Sequence, residues 1–416
     1  MVKKGERMTE AAEQNWKTPL LIIGVLVIVF TGLGRLTGLW VFTAIPVGFL
    51  FGFFLEKADL CGASAFSEVL LMKDWTKIGG LWMVIAVSMI GFTMISALGW
   101  VSLNPKPFIW ANYIIGGVLF GTGIVLAGGC VSGCLFKSGQ GNINSMAGLI
   151  GIPLGVSAVK YGPLNGFATY LKGFIVKDAG GGPVTLSSVT GLPYGALAVI
   201  IGAFTLVAAW RINRNRKQKQ TAVIKQDLPL MQRLVLRPWR PWQAGIAIGL
   251  LAVFAYMSSA SSGRNYPLGV TGGVLYTHAL VTDAPLQHVY APSEVAPPVK
   301  APVFEGAAAA TGAPAKKVKW WLVFEIMALV AGAAFSARLS GKTQFIPRPP
   351  NQTVIAFIGG ILLGTGAAIA GGCVIGNIIS GFALMSLGNV IFGITVVLAA
   401  WATTYFYLMG GGIMDK

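Results

Sequence analysis

Histidine is nearly missing from these 416 residues: His278 and His288 are the only two. Acid is scarce as well, with 14 Asp and Glu against 31 Lys and Arg. A metal centre built on imidazole has few ligands to draw on, and no cofactor is expected. A thiol enzyme needs a base beside its nucleophile, and no histidine lies near the cysteine segments. Cysteine is sparse too. Cys61, Cys130, Cys134 and Cys373 are too few and too deeply set in apolar sequence for a secreted disulfide framework. Charged residues make up only 11% of the chain, while 55% are hydrophobic and the mean hydropathy is +0.71. That balance argues against a chain folding in water and for one folding in a bilayer.

The net charge of +17 is concentrated rather than spread. Nine of the 31 basic residues fall between Arg211 and Arg240, against the single acid Asp227. Positive charge crowded beside helix ends marks a cytoplasmic loop, so no nucleic-acid partner is expected. Met1–Lys17 is charged and lacks a small-residue cleavage pattern, and the apolar run after it reaches about Phe42. It reads as a retained spanning helix.

What the chain has in excess is glycine, 56 residues, about twice the usual share. Much of it belongs to an internal repeat. Ile115–Gly133 (IGGVLFGTGIVLAGGCVSG) returns 243 residues later as Ile358–Gly376 (IGGILLGTGAAIAGGCVIG), with 13 of 19 positions identical. Repeats with glycine-interrupted helices at matching positions are the mark of a membrane transporter whose site lies between its halves.

The expected fold is an all-α polytopic membrane protein with an inverted internal repeat, about nine transmembrane helices and several re-entrant half-helices. Spans of about 20 apolar residues are expected near 18–43, 79–101, 110–128, 143–161, 192–210, 242–261, 319–337, 352–370 and 382–409. Broken apolar pieces at 45–57 leading into 61–72, at 129–138, 267–281 and 371–381 read as re-entrant. The organisation is a first membrane repeat at 1–210, a basic cytoplasmic linker at 211–240 and a second repeat at 241–416. Residues 282–317 form an extracytoplasmic loop. Counting crossings from the linker places the C-terminus in the cytoplasm and the N-terminus outside. Five crossings, an odd number, separate the two halves, so the repeats are expected to be inverted.

Chemistry is expected at the breaks. Cys130 and Cys373 each follow a Gly-Gly pair, Gly128-Gly129 and Gly371-Gly372, where a short helix starts with free backbone N–H groups. Cys61 sits at the turn of the first broken pair, after Glu56, Lys57 and Asp59. Cys134 lies one helical turn beyond Cys130, and its counterpart in the repeat is Asn377. Lys57 is a cation able to attract an anion, or to pair with an acid. Lys137 reads the same way, while Gly116 and Gly359 read as helix packing. Neutral thiols beside helix N-termini suit a small anion with a soft sulfur acceptor and suit a hard cation poorly. The bland reading of each cysteine is a small buried hydrophobe. Its recurrence beside both Gly-Gly breaks favours a site at Cys130 and Cys373.

These residues resemble the YeeE/YedE family of membrane proteins, which includes bacterial thiosulfate-uptake transporters and proteins proposed to serve sulfur or selenium transport. The likeness is strongest over about 45–160, from Glu56-Lys57-Ala58-Asp59-Leu60-Cys61 to Cys130, and the second Gly-Gly-Cys extends it. The resemblance implies an inner-membrane thiosulfate conduit that passes the ion along Cys61, Cys130 and Cys373 by S–H···S contacts, with no nucleotide and no covalent step. It also implies a small soluble TusA-like sulfur carrier as a cytoplasmic partner, at the basic 211–240 face. The chain departs from the family pattern in five places: the cysteine-rich half comes first, the turn around Arg264–Gly273 has no cysteine, Lys57 stands where arginine is frequent, Cys134 is additional, and the extracytoplasmic loop is long. Alternatives are a selenite-like substrate, a membrane thiol enzyme, or a scaffold for the carrier.

Overall fold

The computed structural model describes residues 17–217, 237–282, 286–291, 316–343, 345 and 349–410. Most of the 211–240 linker and of the 282–317 loop lies outside the described residues. Nine helical runs among the described residues are long and apolar enough to cross a membrane, and the chain is a multi-pass membrane protein. Eight of them fall on expected spans. The 192–210 segment falls in the 24-residue helix Tyr194–Lys217, of which Tyr194–Ala208 is the apolar part among the described residues. The ninth run is Trp40–Met72, whose interruption at Asp59–Cys61 is brief enough to leave one apolar stretch.

In chain order the elements that frame the centre are α1 (Lys17–Thr37), α2 (Ala44–Ala58), α3 (Gly62–Met72), α4 (Thr76–Ala97), α5 (Trp110–Leu126), α6 (Val131–Gly139), α7 (Ile143–Lys160) and, after three further helices, α11 (Pro241–Ser261). Then come α12 (Thr271–Thr282), α13 (Trp320–Leu339), α14 (Pro350–Ile369), a π-helical turn at Val374–Ile379 running into α15 (Ser380–Ala383), and α16 (Leu387–Thr404). Strands are marginal. Phe108–Ile109 pairs antiparallel with Ile175–Val176, and Leu286–Val289 pairs in parallel with Lys316–Lys319.

Packing among these helices is reciprocal. α2 lies on α13 as α11 lies on α4, and α14 lies on α7 as α5 lies on α16. The two repeat helices, α5 and α14, pack directly on each other. Their close approach depends on glycine. A β-carbon on Gly123 would run into the backbone of Leu363 and Gly359, and one on Gly366 into Phe120 and Gly116. Gly116/Gly359 and Gly123/Gly366 are equivalent pairs at the 243-residue offset, so each half supplies the same two gaps. In lipid, where apolar surface gains little by leaving hydrocarbon, such close approach supplies the dispersion contact that holds helices together. The outer faces stay apolar and open, with Ile28 73% exposed, Phe204 72% and Phe254 62%, as a bilayer-facing surface requires.

Candidate functional site

α5 ends at a glycine that only an achiral residue holds without strain: Gly128 has φ +68°, and Gly371 after α14 has φ +70°. Each left-handed residue turns the chain, and two residues later a cysteine opens the next helix. Cys130 is the N-cap of α6 and Cys373 the N-cap of the π-helical turn, both in extended conformation. Cys61 is likewise the N-cap of α3, at φ −117° and ψ 137°. None of the three caps its helix with its own side chain. The carbonyls are committed, because Ala65, Cys134 and Asn377 donate their amides to Cys61, Cys130 and Cys373. First-turn amides have no carbonyl four residues back, and each helix end carries about half a positive charge.

Two of these N-termini meet at sulfur. Cys61 Sγ lies 3.8 Å from Cys130 Sγ, and Cys130 Sγ lies 3.3 Å from Ser132 Oγ. Gly133 leaves the space for this contact, since a β-carbon there would strike Cys61 Sγ. The third break is packed against the first: a β-carbon on Gly62 would stand 2.9 Å from Val374, the residue after Cys373. All four thiols are free and buried. Cys134 stands apart from the Cys61–Cys130 contact and turns its S–H to Gly129 O at 3.6 Å. Asn377 does the same in the other repeat, donating to Gly372 O at 2.9 Å and Ala370 O at 3.2 Å.

Lysines complete the two breaks in matching fashion. Lys137 donates to Gly128 O at 2.8 Å, and Lys106 donates to Gly371 O at 2.7 Å and to Asn377 Oδ1 at 2.6 Å. Lys57 belongs elsewhere. It is 1% exposed and donates to Ser340 Oγ at 2.8 Å, beside Glu56, which accepts from Ser336 Oγ and Gln140 Nε2 and pairs with Lys342 at 3.2 Å. The structure thus groups Lys57 with a buried ionic cluster at the end of α2 rather than with the thiols. Among the described residues no group of three or more His, Cys, Asp or Glu side chains converges to hold a metal ion.

A family model described as sulphur transport matches residues 57–402. The chain belongs to the sulphur transport family. It is 29% identical over 376 residues to the thiosulfate transporter TsuA of Spirochaeta thermophila, an alignment covering 88% of this chain and 98% of that protein. It is 24% identical over 359 residues to the thiosulfate transporter TsuA of Escherichia coli, covering 86% and 92% respectively. A shorter stretch of 103 residues is 37% identical to the probable transporter YedE of Escherichia coli, a quarter of each chain.

In this member of the sulphur transport family the second break borders a cavity of about 180 Å³. Lys106, Arg264, Tyr266, Thr271, Gly371 and Gly372 are among its walls. Arg264 is held by the carbonyls of Tyr266 and Pro267, at 3.2 and 2.5 Å, with its guanidinium 5.1 Å from the Trp321 ring. Thr271, at the start of α12, keeps a buried hydroxyl with no hydrogen-bond partner. Enclosure by protein pulls the Lys106 ammonium down to about 7, and Arg264's like charge acts the same way while Cys373 opposes them. Burial also draws Arg264 below the usual arginine range, against the pull of Glu325. No sequence motif marks Lys106 or Arg264. Their one signal in the sequence is position, Lys106 between two prolines before α5 and Arg264 in the broken turn that carries no cysteine.

Proposed function

We propose that this protein imports thiosulfate across the inner membrane through a relay of Cys61, Cys130 and Cys373, with the two repeats inverted and their breaks meeting at mid-bilayer. The observation that carries the reading is the 3.8 Å contact between two cysteine side chains, each opening a helix whose free amides favour an anion. The names of the two TsuA relatives supply the substrate class. Thiosulfate enters at the Lys106–Arg264 cavity, passes its terminal sulfur from S–H to S–H, and leaves toward the side of the Glu56–Lys57 cluster. Removing an ion from water costs several kcal/mol per charge, whereas one helix end returns about 0.3–2 kcal/mol. The cations and the three helix ends therefore act together, and the weak S–H donors keep the ion from being trapped.

Gly128, Gly129, Gly371 and Gly372 open the backbone at the breaks, and Cys134 and Asn377 brace them by holding the second glycine's carbonyl. Lys57 serves the Glu56 cluster. The 211–240 face is the docking side for a TusA-like carrier, and it lies on the cytoplasmic side with the C-terminus. Uptake of radiolabelled thiosulfate into proteoliposomes holding the full-length protein tests the reading. Uptake competed by unlabelled thiosulfate and not by selenite or sulfite is expected. Competition by selenite alone would reassign the substrate, and no uptake of any of these anions would leave the scaffold alternative.

A further inference from the structure

Lys106 and Arg264 share one small cavity, and no acid is among its lining residues. Among the described residues the amine of Lys106 is bound only by neutral acceptors, Gly371 O and Asn377 Oδ1, with its nitrogen 5.0 Å from the centre of the Tyr266 ring. A neutral amine has two hydrogens, enough for those two acceptors. Protonation adds a third, and a second positive charge beside Arg264.

Every element around Lys106 bears on that balance. The 262–270 segment brings Arg264 and Tyr266, the second break brings Cys373 and Asn377, and α7 brings Lys160. Glu325 on α13, which acts on Arg264, accepts from the amide of Gly269 at 3.4 Å and is not among the residues lining the cavity. Two like charges in one cavity disfavour each other, and an arriving anion removes that penalty.

We infer that the cavity takes up a small dianion and a proton together, with the proton carried by Lys106. When the cavity is empty, Lys106 gives its proton to the solvent on that side. When thiosulfate occupies it, the ammonium is restored and its third N–H faces the anion. The proton returns to solvent once the anion moves on. This rests on the anion-transport reading above and adds to it a linkage to pH.

The sign follows from the ammonium standing at about 7. Below that value Lys106 is already charged, so binding draws no proton. Above it binding draws a proton, and affinity falls by up to about tenfold per pH unit. Lys106→Arg stays charged at every accessible pH and separates charge from protonation.

The test is calorimetric titration of thiosulfate into the purified full-length protein at about pH 8, in two buffers of different ionisation heat. The wild type is expected to take up close to one proton per anion bound, with affinity falling as pH rises. Lys106→Arg is expected to bind without proton uptake and with a flat pH profile. Wild-type binding with no proton uptake overturns the inference, as does undiminished uptake in a folded Lys106→Arg variant. If that variant does not fold, the wild-type proton count alone decides. No binding heat from thiosulfate, sulfite or selenite would overturn the anion reading itself, an outcome distinct from binding without protons.

Discussion

Cys61 and Cys130, 69 residues apart in sequence, place their sulfurs 3.8 Å from each other, and Gly133 sits where any side chain would push Cys61 away. Gly133→Ala should therefore displace the Cys61 thiol without removing it. Overpacking of this kind costs about 1–3 kcal/mol. Thiosulfate uptake is expected to fall severalfold while all four thiols remain titratable in the unfolded protein. Uptake at the wild-type rate would mean that the sulfur contact is incidental.

Gly371 offers a contrast, because a β-carbon there meets nothing within 4 Å and the cost is purely conformational. At φ +70° an alanine is disfavoured by about 1–2 kcal/mol, whereas asparagine tolerates the left-handed region better. Gly371→Ala should lower the melting temperature in detergent, and Gly371→Asn should lower it less. Equal melting of both variants would contradict a backbone origin.

Glu56 is fully buried and holds Ser336, Gln140 and Lys342 around one carboxylate. Glu56→Ala leaves the Ser336 hydroxyl on α13 and the Gln140 amide just past α6 without their acceptor, a loss of about 1–3 kcal/mol for each buried group left unpaired. The expected result is a large fall in thermal stability. Lys57→Met, which loses the bond to Ser340, should act in the same direction and more weakly. If Lys57→Met left stability unchanged but abolished uptake, Lys57 would be a substrate ligand rather than part of this cluster.

Arg264 is positioned by two carbonyls and two aromatic rings at the cavity wall. Arg264→Gln should raise the concentration of thiosulfate needed for half-maximal uptake about tenfold and change the maximal rate little. A change confined to the maximal rate would move Arg264 from capture to a later step.

The sequence carried the helical plan because twenty-residue apolar runs have one stable answer in lipid. The Gly-Gly-Cys duplication also located both breaks, since only a left-handed glycine can turn a helix there at low cost. The equivalence of Cys134 and Asn377 was legible at the 243-residue offset and reappears as matching bonds to Gly129 and Gly372. What the sequence could not give was partnership across long separations. Lys57 reads as a cation before a cysteine, but the last turn of α2 points it at Ser340, just past the end of α13. Lys106 stands in an irregular segment with no periodicity, and only the packing of the start of α5 against the end of α14 carries Gly371 to it.

Thiosulfate uptake in cells lacking other routes, comparing wild type with Cys61→Ala, Cys130→Ala, Cys373→Ala and Cys134→Ala, tests the thiol relay itself. Losing one donor worth about 1 kcal/mol slows a step about fivefold. The account predicts at least that loss for each of the first three and little change for Cys134→Ala. Unaltered uptake in Cys61→Ala, Cys130→Ala and Cys373→Ala, at equal amounts of protein in the membrane, would contradict it.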